Sequence, residues 1–310
     1  MSEAAARPRV AILGAGAMGT LFAYHLAQSN DVTLVDVRGD VVETINASGG
    51  VALDEGPVRP VSATRDAAKA FATNYLFVFV KAPNTLGAIR PFAGMLNPAT
   101  PIVSLQNGLG NEEAIKTALG GTVPLVIGIT DVAALAVGHG RSRWQGAGST
   151  VVGSAGASTA TVRAVQLLLA AAGLECSIAY DIRPHQWGKL IANAAINPIS
   201  ALADSKNGIV AHDPNAAELA RAVALESAAV ARAMRINLPF PDPWEYVRGV
   251  VASSADGRNS MTVDLGAHLR TEIDHVNGAI VAAGRRLGIA TPYNEALLRL
   301  VKAKENAPSE

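Results

Sequence analysis

Arg9-Val10-Ala11-Ile12-Leu13-Gly14-Ala15-Gly16-Ala17-Met18-Gly19 decides how the first half of this 310-residue chain folds. A strand-length aliphatic run enters a G-x-G-x-x-G loop, and the apolar stretch 21–27 after it opens as a helix. Each glycine has a separate task. Gly14 makes the tight turn, Gly16 lets backbone approach a pyrophosphate, and Gly19 lets helix and strand pack closely. The helix N-terminus adds unpaired N–H groups and a partial positive charge. The next apolar run, Val32-Thr33-Leu34-Val35, ends at Asp36, about 20 residues past the glycines, where a carboxylate suits a ribose. Strand, glycine loop, helix and carboxylate in this order predict a dinucleotide site.

Composition narrows the rest. Lys+Arg and Asp+Glu balance at 26 each, so no basic excess argues for nucleic acid or an anionic membrane. A 49% hydrophobic content in 310 residues supports about two domains with a sizeable core. The single cysteine, Cys176, excludes an internal disulfide and reads as a small buried apolar residue on a strand. No secretory signal precedes the glycine loop, and no apolar span reaches about 20 residues, so a cytoplasmic location is expected. The six histidines show no paired spacing and no cysteine company, so no metal site is expected.

Strand-like and helix-like segments alternate through the first half. Strands are predicted over 10–13, 32–36, 75–80, 101–105 and 125–130, and helices over 18–28, 41–47, 85–96 and 112–119. The Gly-rich segment 138–153 around Trp144 predicts an antiparallel hairpin at a sheet edge, followed by a helix over 160–172 and a strand over 175–180. From His185 onward the strand signals stop, and the tail after Lys302 is polar and expected to fray. The fold class is therefore α/β: a Rossmann-type doubly wound sheet over 1–180, then an all-helical second domain over 181–310. Lys81 and the Gln106-Asn107-Gly108 run fall at strand carboxyl ends, where such sheets bind ligands.

Polar residues inside apolar helices point to the chemistry. Between Leu190 and Ala203 the only polar residues are Asn193, Asn197 and Ser200, so this helix is apolar nearly all round and should be buried. Lys189, Asn193 and Asn197 form one narrow stripe on it, which should line a cleft or meet a partner. The run 260–283 reads as one helix with an apolar stripe through Leu265, Leu269, Val276, Ala279 and Ala283. Glu272 falls inside that stripe, so its carboxylate should be paired or set at a functional cleft. Asp274 points away and His268 and His275 read as helix-surface residues.

At these residues the chain resembles the ketopantoate reductase (2-dehydropantoate 2-reductase) family over nearly its whole length. The resemblance is carried by the glycine loop, Val80-Lys81-Ala82, Leu105-Gln106-Asn107-Gly108, Trp187-Gly188-Lys189-Leu190, Asn193 with Asn197-Pro198, Ser260-Met261 and Arg270-Thr271-Glu272-Ile273-Asp274. It implies reduction of a small 2-oxo acid, ketopantoate, to (R)-pantoate with NADP(H), in pantothenate and coenzyme A biosynthesis. It further implies Lys189 as proton donor and Glu272 as catalytic carboxylate, with Asn107, Asn193, Asn197, Asn207 and Ser260 on substrate. Gly14, Ala15, Gly16, Ala17, Met18, Gly19, Asp36, Arg38, Lys81 and Asn107 would meet the cofactor. A ketone that accepts hydride gains negative charge on oxygen, so a proton-donating cation beside it makes chemical sense.

One departure bears on the cofactor. NADPH-specific members usually carry a basic residue just past the second strand; here Asp36 ends that strand and Arg38 follows two residues later. A carboxylate there favours a free 2′-hydroxyl, which makes NAD(H) a live alternative. Two other functions fit part of the pattern: an NAD-dependent D-2-hydroxyacid dehydrogenase of the same family, acting on another branched 2-oxo acid, and a non-catalytic dinucleotide sensor. The sensor reading gives no reason for Lys189 and Glu272 to sit in apolar faces. A homodimer is left open.

Overall fold

The computed structural model describes residues 6–121, 123–146 and 148–307. The chain divides into two compact units: residues 1–106 with 111–182, and residues 107–110 with 183–310.

In the first unit the aliphatic runs form β1 (Arg9–Leu13), β2 (Asp31–Val35), β3 (Ala52–Leu53), β4 (Ser62–Thr64), β5 (Tyr75–Val78), β6 (Ile102–Ser104) and β7 (Leu125–Thr130). They are followed by β8 (Ala133–Gly138), β9 (Arg141–Gly146), β10 (Thr150–Ser154) and β11 (Cys176–Ile178). The main sheet runs β11-β10-β7-β6-β5-β1-β2-β4, parallel throughout except where β10 meets β7. The chain moves outward from β1 through β2 to β4 and resumes on the other side at β5, so the order reverses between β1 and β5. That reversal is the switch point at which doubly wound sheets bind ligands beyond their strand carboxyl ends.

The described residues of this unit form the helices α1 (Ala17–Leu26), α2 (Gly39–Ala47), α3 (Thr85–Ile89), α4 (Asn111–Leu119) and α5 (Thr159–Ala171). Strand geometry sends alternate side chains to opposite faces. Val10 and Ile12 accordingly join a core with Phe22, Val41 and Val162 of α1, α2 and α5, while Ala11 and Leu13 join a second core with Ile89 and Ile115 of α3 and α4. Helices thus cover both faces of the sheet.

The second unit is helical: α6 (Arg183–Leu202), α7 (Ile209–His212), α8 (Pro214–Ala233), α9 (Pro243–Ser254), α10 (Ser260–Gly266), α11 (Asn277–Leu287) and α12 (Pro292–Glu305). Its core gathers around α6, whose residues from Trp187 to Ala201 are buried except Lys189 and Asn193. No described helix is long and apolar enough to cross a membrane, and the described residues hold no cluster of three potential metal ligands.

Four expectations need correction. The helix expected over 85–96 is α3 followed by a 3-10 turn, Arg90–Phe92, because Pro91 cannot donate to a helical ladder. The hairpin lies earlier than 138–153: β8 and β9 pair as antiparallel neighbours and join β3 in a separate three-stranded sheet, while β10 enters the main sheet. Ala147, within the expected hairpin, lies outside the described residues. The single helix expected over 260–283 is two helices. α10 ends at Gly266, His268 adopts a left-handed φ of 54°, Leu269 is 55% exposed, and a 3-10 turn, Ile273–His275, precedes α11. The apolar spacing matched a helical period across a break that propensity alone does not mark. Finally, the polar tail remains helical to Glu305; residues 308–310 lie outside the described part.

Candidate functional site

The glycine loop lies at the switch point of the sheet. Gly14 has a φ of 99°, and a Cβ on it would come within 2.9 Å of the Val80 amide nitrogen, so only glycine lets the loop pass so close to the end of β5. A Cβ on Gly19 would fall 1.8 Å from the Gly14 carbonyl oxygen, which fixes how tightly α1 packs against β1. At Gly16, the N-cap of α1, a Cβ would meet no protein atom within 4 Å. Among the described residues no side chain caps this helix start, and its first turn carries no acidic residue, so its N–H groups are offered to an anion.

Asp36 follows β2 and turns back on the loop. Its carboxylate accepts from the Ala15 amide at 2.8 Å and from the Arg38 amide at 3.0 Å. The Arg38 guanidinium lies 3.7 Å from it but is itself 54% exposed, so that ion pair contributes little. On the other side of the switch point, Lys81 follows β5 as the half-buried N-cap of a 3-10 turn, Ala82–Asn84. Gln106 ties the ends of β5 and β6 together, donating to the Val80 carbonyl at 2.6 Å and the Thr85 hydroxyl at 2.8 Å while accepting from Ser104.

The second unit holds a small polar cavity lined by Asn107, Asn193, Asn197, Ser260, Met261, Asp264, Glu272 and Val276. Asn193 and Asn197 arrive from successive turns of α6; Asn197 is buried and Asn193 half-buried. Lys189, also half-buried, precedes them by one turn on the same face but does not line the cavity itself. Ser260 and Asp264 come from successive turns of α10, whose N-terminus is capped by Asn259 accepting from Thr262 at 3.0 Å. Asn207 does not reach the cavity. It accepts from the Asn259 side chain at 2.8 Å and donates to Ser254, so it supports the start of α10.

Glu272 reaches the cavity from the segment between α10 and the 3-10 turn, and it starts that turn by accepting from the His275 and Val276 amides through its own carbonyl. The segment is pinned by Glu305 of α12, whose carboxylate accepts from the Thr271 amide at 2.8 Å, the Thr271 hydroxyl at 2.7 Å and Arg270 at 3.1 Å. Asp274 is exposed and paired with Lys302 at 2.7 Å.

Asn107 owes its place to the His275 backbone and ring, which hold Leu109 two residues on. The sequence reading passed over His275 because a period-based helix put it on the surface. It also passed over Asp264, although the spacing of four from Ser260 marks one helical face.

Two family models, "Ketopantoate reductase PanE/ApbA" over residues 10–157 and "Ketopantoate reductase PanE/ApbA C terminal" over residues 181–305, match the chain. It is 33% identical over 308 residues to a 2-dehydropantoate 2-reductase of Pyrobaculum aerophilum, covering 95% of this chain and 97% of that one. The structure resembles a PanE/ApbA family ketopantoate reductase from Ralstonia eutropha with a TM-score of 0.88 at 31% identity, covering 96% of this chain and 98% of that one. It also resembles a D-mandelate dehydrogenase solved with NADH, with a TM-score of 0.87 at 26% identity over 97% of this chain and all of that one. The chain belongs to the ketopantoate reductase family and is thereby a nicotinamide-dependent oxidoreductase.

Proposed function

We propose that this protein is a 2-dehydropantoate 2-reductase, in which residues 1–180 bind the dinucleotide and residues 181–310, together with Asn107, hold the 2-oxo acid and supply the proton. The observation that carries the reading is the convergence of Asn193, Asn197, Ser260, Glu272 and Asn107 on one cavity in a family defined by this reaction. Amide and hydroxyl groups at those positions suit the carboxylate and hydroxyl of a small oxo acid.

The reduced nicotinamide supplies the hydride when bound. The cofactor fits the residues present: Gly16 leaves room for a pyrophosphate, and the uncapped start of α1 offers it N–H groups. Lys189 donates the proton that the ketone oxygen takes up as charge develops on it, and its ammonium stabilises that charge beforehand. Glu272 holds the substrate hydroxyl and keeps the lysine oriented. Asn107, Asn193, Asn197 and Ser260 fix the oxo acid so that the carbonyl meets the hydride in one orientation.

Cofactor choice supports a second reading. Asp36 fixes one carboxylate oxygen on the Ala15 amide and thereby places negative charge beside the ribose position, which opposes a 2′-phosphate. That geometry favours NADH over NADPH and gives weight to an NAD-linked 2-hydroxyacid dehydrogenase, in keeping with the relative solved with NADH. Steady-state reduction of ketopantoate and of other branched 2-oxo acids, each with NADPH and NADH, separates the readings. Efficient ketopantoate turnover upholds the reductase; turnover confined to other oxo acids upholds the dehydrogenase.

A further inference from the structure

Pro198 lies inside α6, one residue after Asn197. Proline has no amide hydrogen, so the carbonyl four residues back, that of Ala194, loses its helical donor. Ala194 is fully buried, where an unpaired carbonyl is costly. The side chain of Asn277, the first residue of α11, donates to that oxygen at 3.1 Å.

The roles in this contact are forced. Glu226 of α8 is a carboxylate and only accepts, so Asn294 presents its amide nitrogen to it, at 2.8 Å. The Asn294 amide oxygen is therefore left to face Asn277, which donates to it at 3.1 Å. Asn277 must then turn its NH2 group toward both Asn294 and Ala194, and among the described residues no group donates to its own buried oxygen. Glu226 is fixed in turn by the Tyr293 and Asn294 amides at the start of α12.

We infer that Asn277 is a positioning residue: it replaces the amide donor that Pro198 removes, and so fixes the turn of α6 that carries Asn193 and Asn197 into the cavity. This inference rests on the proposed role of those two asparagines in holding the 2-oxo acid. It makes Pro198 and Asn277 one device. The proline opens the helical ladder at the cavity, and the asparagine closes it from outside the helix.

The test is a cycle of Asn277→Ala, Pro198→Ala and the double variant, with KM for ketopantoate, KM for the reduced cofactor, kcat and the thermal midpoint measured for each. Asn277→Ala should raise KM for the oxo acid about tenfold to a hundredfold with little change in KM for the cofactor. Pro198→Ala restores an amide donor to Ala194, so in that background Asn277→Ala should change the oxo-acid KM by no more than about threefold and lower the midpoint far less. Independent losses in the two backgrounds would overturn the inference. So would an Asn277→Ala protein that loses stability while keeping its oxo-acid KM, or one that fails to fold even with Pro198→Ala. If the unaltered protein reduces no 2-oxo acid, the functional reading falls instead, and coupling of the midpoints still decides whether Asn277 serves the carbonyl that Pro198 frees.

Discussion

Leu109 and His275 are bonded in both directions: the Leu109 amide donates to the His275 carbonyl at 2.9 Å, and the His275 ring nitrogen Nδ1 donates to the Leu109 carbonyl at 3.0 Å. The pair fastens 107–110, a segment between β6 and α4, to the helical unit, and Asn107 lines the cavity as a result. A carbonyl only accepts, so the second bond also fixes the histidine tautomer.

Gly108 makes that fastening possible. Its φ is 78°, and a Cβ there would lie 2.6 Å from the His275 carbonyl oxygen. Gly108→Ala should therefore cost about 1–2 kcal/mol in backbone strain alone and displace Asn107. The expected result is a strong fall in kcat/KM for the oxo acid at unchanged cofactor binding, measured by steady-state kinetics and fluorescence titration of the reduced cofactor. An alanine variant with ordinary kcat/KM would show that Asn107 does not hold substrate.

The carboxyl end of the chain contributes through Glu305, whose side chain is only 4% exposed. It accepts from both the amide and the hydroxyl of Thr271, the residue before Glu272. Glu305→Ala should release that segment and lower kcat while the helical core keeps most of its stability. Glu305→Gln retains an acceptor and should recover much of the activity. Equal losses in the two variants would place the effect in charge rather than in anchoring.

How much of this was legible follows from the range of each signal. The glycine loop, Asp36 and the buried helix around Asn193 and Asn197 were readable because each rests on local spacing. Glu272 stands out in the sequence on a spacing that only partly holds: apolar residues on both sides keep a helical period, yet the helix ends at Gly266 and the next begins at Asn277. The short strands β3 and β4 carry two and three residues, too few for alternation to register. Asn277 and Glu305 act on residues 83 and 34 positions away, and no local pattern encodes such partners.

Cofactor preference is open to a direct test at Asp36. Removing its charge should shift the ratio of kcat/KM values toward NADPH, because a carboxylate beside the ribose repels a 2′-phosphate. Asp36→Asn keeps an acceptor for the Ala15 amide, which Asp36→Ala loses. Both should move the ratio, and the asparagine variant should retain more activity with NADH. A ratio that stays fixed in both would place the ribose away from Asp36.

His25 should give the protein a pH dependence of stability unrelated to catalysis. It is buried, with Nδ1 on the Ala172 carbonyl at 3.1 Å and Nε2 meeting no hydrogen-bond partner among the described residues. Burial, opposed by the bond to Ala172 and aided by Arg59, lowers its pKa below the ordinary 6.5. The unfolded chain takes up a proton as pH falls through 6.5, whereas the folded protein resists it. Stability contributed by the neutral ring is thus complete above 6.5 and declines as pH drops toward the folded value. His25→Gln should flatten the fall in thermal midpoint between neutral and mildly acidic pH. An unchanged slope would assign that fall to other groups.

The strongest test of the proposed chemistry is whether Lys189 and Glu272 act together. Lys189 stands one turn before Asn193 on the face of α6 that feeds the cavity, and Glu272 lines the cavity from the opposite chain segment. If the ammonium gives its proton to the ketone while the carboxylate orients it, removing either disables the same step. Lys189→Ala should lower kcat by about two to four orders of magnitude with cofactor binding nearly intact. Glu272→Ala should reduce kcat/KM strongly, and the double variant should be scarcely worse than the poorer single one, since groups that act as a unit do not contribute independently. Losses that multiply in full would separate the two residues, leaving Glu272 as the residue that starts the turn before α11 and Lys189 alone at the reacting carbonyl.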